Sequence, residues 1–395
     1  MNPSDNDSRL DRPRGYRSLR GSTGLRLQVA SGLVRAGGIF DLARALVEAL
    51  HCHVFRFISE RMGSFLDKPI TEKHVDDVQA NGLRAGAAAM QGWRVTMEDA
   101  HTMVESIDGA PDHAFFAVYD GHGGDKTAIA AGRDVLGLVL QTTQWKQYMQ
   151  LADKSTLDAA QLAGSAVRAA FLDLDKQLKA ADPLTEDQSG CTAIAAIVSP
   201  THTIVANCGD SRSILAKGGR VEPMSFDHKP TNPSEKQRIE AAGGHVSMKR
   251  VNGDLAVSRA LGDFSYKQRD DLPAEEQQVS GEADIKIEPR DGSEEFLVLA
   301  CDGIWDVVSN DDCGVYVRQV LKNFEAPERM VSWAARDLLD NCLVKNSRDN
   351  MSAVVVCFTA EAGAKGGACT YIGVEPKPWA NQLVDEIYQE GAGGR

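Results

Sequence analysis

The stretch Phe296–Asp306, Phe-Leu-Val-Leu-Ala-Cys-Asp-Gly-Ile-Trp-Asp, constrains the fold of this chain more than any other. An apolar run of strand length ends on Asp302-Gly303, and Asp306 follows one turn later. A carboxylate left unpaired at the margin of a core costs roughly several kcal/mol, so it needs a partner that neutralises it. The construction recurs. His113–Tyr119 runs into Asp120-Gly121-His122-Gly123-Gly124, and Thr203–Cys208 runs into Gly209-Asp210-Ser211. Near the C-terminus the order reverses, with Arg348-Asp349-Asn350 ahead of the apolar run Met351–Phe358. If that last strand runs antiparallel to the others, its start lies beside their ends. All these acids then meet at one edge of the sheets.

The remaining periodicity sets the architecture. Leu83–Gln91 is a weak strand, and Cys191–Val198 with Thr203–Cys208 forms a hairpin across Ser199-Pro200-Thr201-His202. Ser211–Ala216 is a third strand, closed by Gly218-Gly219. Helices are expected over Asp125–Leu140, Leu157–Ala181, Asp306–Lys322 and Glu328–Leu343. Ala160, Ala163, Val167, Phe171, Leu174 and Leu178 make the clearest stripe, at steps of three and four. Ser234–Ala242 reads as a short helix capped by Ser234 and stopped by Gly243. Residues 243–290 are charged and weakly periodic, as expected for a surface excursion. Strands come in groups and helices in blocks, without β-α-β alternation. The expected class is α+β, with mainly antiparallel sheets covered by helices.

The 395 residues suffice for one large domain or two ordinary ones. The net charge of −13 argues against nucleic acid as the main partner. Eight cysteines form no C-x-x-C pair, and Cys191, Cys208, Cys301 and Cys357 sit in strand-like runs as small hydrophobes. This is the usage of a reduced, intracellular protein, with the cytoplasm as the expected site and the nucleus as a second. No apolar run reaches the roughly 18 to 20 residues of a membrane span. Gly37–Ile58 comes nearest and is broken by Asp41, Arg44, Glu48 and Arg56.

Residues 1–61 read as an extension, with Met1–Arg20 disordered and Leu25–Arg61 compatible with one amphipathic helix. Asp and Glu are too frequent there for a good organelle-targeting segment. Met62-Gly63-Ser64 resembles a second start, and only an acylated Gly63 would attach the chain to a membrane. Asp67 stands where the acylation pattern wants Ser or Thr. Residues 361–395 read as a tail.

The chemistry lies with Glu98, Asp99, Asp120, Asp210, Asp302, Asp306 and Asp349. An oxygen-only set selects hard cations such as Mg²⁺ or Mn²⁺. Zinc is disfavoured, because no His or Cys cluster at ligand spacing lies beside these acids; His51-Cys52-His53 is the one such knot. Arg94, four residues before Glu98, suits bidentate capture of a phosphate or, more plainly, an ion pair with Glu98. His122 can donate a proton near neutral pH. Gly121-His122-Gly123-Gly124 lacks the Lys-Ser/Thr of a nucleotide loop. Cys342 and Arg348 stand at Cys-x₅-Arg spacing with no intervening glycine, a chance match.

Seven stretches, in order, resemble the motifs of metal-dependent protein serine/threonine phosphatases of type 2C. They are Gly92–His101, Tyr119–Gly124, Gly190–Ala193, Cys208–Arg212, Leu255–Asp263, Ala300–Asp306 and Arg348–Met351, spanning about residues 81–360. The resemblance implies a catalytic domain over residues 62–360, built as a four-layer α-β-β-α sandwich with two Mn²⁺ or Mg²⁺ ions in a cleft at one end. By motif match, Asp120 bridges both ions. Asp302 and Asp349 hold the first, and Glu98 with the Gly121 carbonyl holds the second. Asp210, Asp306 and Asp302 match a weaker third site. Asp99 matches the residue that orients the attacking water, Arg94 the phosphate-binding arginine and His122 the general acid. Residues 230–262 match a flap beside the cleft. The implied substrates are phosphorylated proteins. Thr96, His245 and Gln268–Ala283 depart from the pattern, which leaves substrate preference open. The competing expectations are a phosphoprotein-binding pseudophosphatase, which would lack ligands, and a hydrolase of small phosphate esters.

Overall fold

A computed structural model describes residues 65–181, 187–322 and 331–358. Residues 1–61, the His51-Cys52-His53 knot and residues 361–395 lie outside the described residues. In chain order the strands are β1 (Phe65–Ala80), β2 (Leu83–Arg94), β3 (Ala100–Val104), β4 (Ala114–His122), β5 (Gly190–Val198), β6 (His202–Cys208), β7 (Arg212–Lys217), β8 (Arg220–Pro223), β9 (Val246–Ser247), β10 (Arg250–Val251), β11 (Leu261–Gly262), β12 (Asp284–Pro289), β13 (Glu294–Ala300) and β14 (Met351–Phe358). One sheet has the order β1-β2-β14-β13-β7-β8, and the other β12-β6-β5-β4-β3 with β11 paired to β5. All these pairings are antiparallel.

Alternation explains why the sheets stack. In β4, Phe116 and Val118 point into the gap, where Ile194, Leu297, Leu299 and Val354 meet them. Phe115, Ala117 and Tyr119 point the other way, toward the helices Lys126–Gln141, Thr143–Gln150 and Leu157–Ala181. On the far side, Asn310–Lys322 and Ser332–Val344 cover the first sheet by packing Val317 and Leu338 against Ile214 and Val298. Each such side chain taken from water contributes about 1.5–3 kcal/mol. The α+β class and its four layers therefore stand as expected.

Several boundaries differ from the sequence reading. The first sheet begins at Phe65, ahead of the first strand expected from the sequence at Leu83. Its edge strand β1 carries Asp67, Lys68, Pro69, Glu72 and Lys73 and shows no apolar alternation. What makes it a strand is its pairing with the Ala-rich β2; charges and a proline are normal on an edge. Its Asp77 also caps the Ser332–Val344 helix, accepting the Ser332 N–H at 2.9 Å. That helix is described from Ser332, and residues 323–330 are outside the described set. The single helix expected over Asp306–Lys322 is two pieces, Asp302–Trp305 and Asn310–Lys322. Ser309 separates them by accepting the Asp312 N–H (3.1 Å) while donating to the Asp312 carboxylate (2.7 Å). The helix expected from Ser234 starts at Pro233, with Asn232 as N-cap and no side-chain cap bond. Proline suits the first helical position because its missing N–H would have had no partner there.

Candidate active site

The antiparallel order brings the acids to one end. The C-termini of β2, β4, β6 and β13 and the N-termini of β7 and β14 share it. The Cys301 N–H donates to the Ser352 carbonyl at 3.1 Å, which sets Asp302 beside Asp349. The Asp302 N–H donates to Asp120 Oδ2 at 3.4 Å. Asp210 lies on the crossover from β6 to β7, between the sheets, and is 3% exposed.

These acids feel one another's charge. Burial pushes Asp120 well above the usual carboxylate range, and the charges of Asp302, Asp99, Asp210 and Asp349 add to it. Asp302 is raised in the same way by burial and by Asp210, Asp349 and Asp306. Asp306 is more exposed and is raised by burial, Asp210 and Asp349 against the opposing charge of Lys229. Lys229 is also hydrogen-bonded to Asp210 Oδ2. Asp99 is pushed up to about 7, chiefly by burial.

The loop after β2 is held by a residue to which the sequence reading gave no role. Asn350 accepts the Glu98 N–H at 3.0 Å and donates to the Gln91 and Thr96 carbonyls, both at 2.9 Å. Gly121 completes the fit. A Cβ there would stand 2.1 Å from the Glu98 carbonyl oxygen, so only glycine lets the two backbones meet. Thr96, one of the departures noted above, donates to Glu98 Oε1 at 2.8 Å.

Arg94 does not pair with Glu98. Its Nη2 donates to Asp349 Oδ2 at 2.6 Å, and its Nε is buried without a partner. Burial opposes the guanidinium charge, but Asp349, Asp302 and Asp120 outweigh it. His122 Nε2 lies 2.7 Å from Oδ2 of Asp263, whose side chain is 5% exposed. Burial lowers the His122 pKa and the Asp263 charge overcomes it, leaving a net rise. Asp263 holds a left-handed backbone at φ 51. Opposite His122 stands Gly190, where a Cβ would meet both the imidazole and the Asp263 carboxylate within 2.6 Å. Asp263 ends the quoted stretch Leu255–Asp263, but nothing local showed that it reaches His122.

The residues fit hard divalent cations. Their donors are oxygens, and both carboxylate oxygens of Asp99 are buried with no hydrogen-bond partner. Donor atoms of Asp99, Asp120 and Cys301 lie within 4.8 Å of one another. Cys301 is the poor member, because burial pushes its thiol well above its ordinary value and Ser352 N–H and the Asn350 carbonyl already engage it.

The sequence pattern described as Protein phosphatase 2C matches residues 83–351. The chain belongs to the protein phosphatase 2C family. The phosphatase is 46% identical to Protein phosphatase 1B of Rattus norvegicus over 335 residues, 83% of this chain and 84% of that one. It is 42% identical to Protein phosphatase 1A of Homo sapiens, over 75% and 76% of the two chains. The crystal structure of serine-threonine phosphatase 2C from Toxoplasma gondii superposes with a TM-score of 0.61, covering 75% of this chain and 98% of that one. At 24% identity that likeness speaks for the fold alone. The phosphatase is thus a metal-dependent serine/threonine phosphatase. Among the described residues no helix is long and apolar enough to cross a membrane.

Proposed function

We propose that the phosphatase hydrolyses phosphoserine and phosphothreonine in proteins at a binuclear Mn²⁺ or Mg²⁺ site, by direct attack of water and without a phospho-enzyme. The observation that carries this reading is the gathering of Asp302, Asp349 and Asp210 around Asp120, with the Asp302 N–H on Asp120 Oδ2 at 3.4 Å and with burial and the three neighbouring charges raising the Asp120 pKa. Asp120, Asp302, Asp349 and Glu98, with the Gly121 carbonyl, would hold the ions. Asp210, Asp306 and Asp302 would take a weaker third ion. The bound ions would supply acidified water and positive charge for the phosphoryl oxygens.

The chain's own side chains do the rest. Arg94 presents a guanidinium to the phosphoryl group, anchored through Nη2 on Asp349. Asp99 orients the attacking water with oxygens that no protein group occupies. His122 protonates the leaving serine or threonine oxygen, a role worth about 10²–10⁴ in rate. Asp263 engages Nε2, so Nδ1 delivers the proton. A cysteine nucleophile is a poor alternative. Cys342 is buried in the Ser332–Val344 helix with its thiol pushed up to about 12, and Arg348 stacks over Phe65 and Trp93 instead.

The test is turnover of a phosphothreonine peptide with Mn²⁺, with EDTA, and after Asp302→Ala. Activity is expected only in the first condition. Undiminished turnover in EDTA overturns the metal-assisted reading, and tight peptide binding without turnover in Mn²⁺ favours the pseudophosphatase.

A further inference from the structure

Behind the His122–Asp263 pair lies a buried ion pair that the chemistry described so far does not use. Asp175, on the Leu157–Ala181 helix, and Lys267 are both buried. Lys267 Nζ donates to Asp175 Oδ2 and, at 2.8 Å, to the Ala260 carbonyl. Asp175 Oδ1 accepts the Gly262 N–H at 2.7 Å. One helical turn further on, Lys179 Nζ donates to the Lys267 carbonyl at 2.9 Å. A single helix thus grips the segment Ala260–Lys267 at Gly262 and Lys267, and through Lys267 at Ala260. Asp263 lies between these grips.

The backbone there is in an uncommon conformation. Asp263 is left-handed at φ 51 and follows Gly262, itself at φ 75. Outside glycine that conformation is costly and persists only where the surroundings over-determine it. The register shows what it achieves. Leu261 and Gly262 pair with Cys191 and Gly190, and Gly190 pairs on its other side with His122. Asp263 therefore meets His122 Nε2 at 2.7 Å from a position that Gly262 fixes. The ion pair itself is a poor stability device. Burial outweighs the Lys267 charge and leaves the Asp175 pKa raised. Apolar residues of similar size would serve a core at least as well. What they lack is an acceptor for Gly262 and a donor for Ala260.

We infer that Asp175 and Lys267 are positioning residues for leaving-group protonation, holding Asp263 where it orients the His122 imidazole. Their role presupposes His122 as the general acid proposed above. Neither residue touches the reacting atoms. A loosened segment would let the imidazole turn away from the leaving oxygen, and a misplacement of about 1 Å can cost about 10²-fold in rate.

The test is kcat in saturating Mn²⁺ for a phosphoserine peptide, whose leaving oxygen needs a proton, and for an aryl phosphate, whose leaving oxygen does not. The wild type is compared with Asp175→Ala, Asp175→Asn and Lys267→Met, with His122→Ala alongside. Asp175→Ala is expected to slow the peptide about five- to tenfold and the aryl phosphate at most about twofold. Asp175→Asn keeps an oxygen for the Gly262 N–H and should recover most of the peptide rate. Adding Asp175→Ala to Asp263→Asn should cost little more than Asp263→Asn alone, because residues that act through one another do not add. Lys267→Met, which frees the Ala260 carbonyl, gives the same comparison should Asp175→Ala fail to fold. Equal losses on both substrates, with His122→Ala still selective for the peptide, overturn the positioning role and leave the general acid standing. A His122→Ala that slows both substrates equally overturns the general acid and the positioning role together.

Discussion

Glu235 and Asp120 are both carboxylates withdrawn from water, and the fold treats them in opposite ways. Glu235, 2% exposed on the Pro233–Ala241 helix, accepts from Arg238 (2.8 Å), Arg259 (2.9 Å) and Ser258 (2.7 Å). Burial alone would raise its pKa, but these partners bring it below the ordinary carboxylate value. Asp120 is surrounded by Asp302, Asp99, Asp210 and Asp349, and its pKa rises. The first arrangement is complete and anchors the Pro233–Ala241 helix, where Val251, Val257, Ala260 and Val279 pack on Ile239. The second is incomplete without a cation from solution. A compensated buried charge marks structure; an uncompensated cluster marks a place where the fold gives up stability for chemistry.

The sharpest way to break the comparison is to remove one acid from each region. Asp302→Ala should lower peptide turnover by at least about 10³-fold, the equivalent of several kcal/mol of lost charge stabilisation. In EDTA its thermal stability should match or exceed the wild type's, since a like charge has gone. Glu235→Ala should do the reverse. It leaves the half-buried Arg238 without a carboxylate and Arg259 with Asp284 alone, at a cost of about 3 kcal/mol in urea unfolding, while the catalytic acids stay in place. A marked loss of stability in Asp302→Ala would undo the distinction.

Asp263→Asn sharpens the comparison inside the active site. It keeps the shape but removes the charge facing His122 Nε2, and should slow phosphoserine turnover by about tenfold, a fraction of a general acid's contribution. Aryl phosphates, whose leaving groups need no proton, should be much less affected. Equal losses on both substrates would assign Asp263 to folding alone.

The last contrast is in the pH dependence of stability measured in EDTA. Asp99 titrates higher in the folded state, at about 7, than its ordinary value of 3.8. Its unfavourable contribution is complete above pH 7 and relieved as pH falls through 7, so stability should rise on mild acidification. Asp99→Asn should reduce that rise and leave the share due to Asp120, Asp302 and Asp306. Glu235 titrates below its ordinary value of 4.5. Its contribution is complete above pH 4.5 and is lost as pH falls through the lowered value. Urea unfolding across pH 3–8 reads both signs.

Much of this was legible because the signals are local. Leu157–Ala181 and Met351–Phe358 have the bounds that their apolar patterns indicate. An apolar run that stops on Asp-Gly states its own burial and its own cost, so Asp120 and Asp302 stood out before any fold was known. β1 did not, because an edge strand needs no apolar period and takes its shape from β2. Ser309 was missed as a helix start because apolar residues on both sides of it mimic one continuous stripe. Asn350, Asp263 and the Asp175–Lys267 pair carry no local signature of what they touch.

The order of apolar runs and acids along the chain determined by itself that this protein would bury strands ending in carboxylates, and hence that their charge calls for a partner. Which side chains serve those acids was decided only in three dimensions. Asn350 reaches Glu98 across 252 positions of sequence, and Asp263 reaches His122 across 141. The physical reason is that an antiparallel sandwich sets strand ends together by register and hydrogen bonding, and a chain read in order carries the charges but not the distances between them.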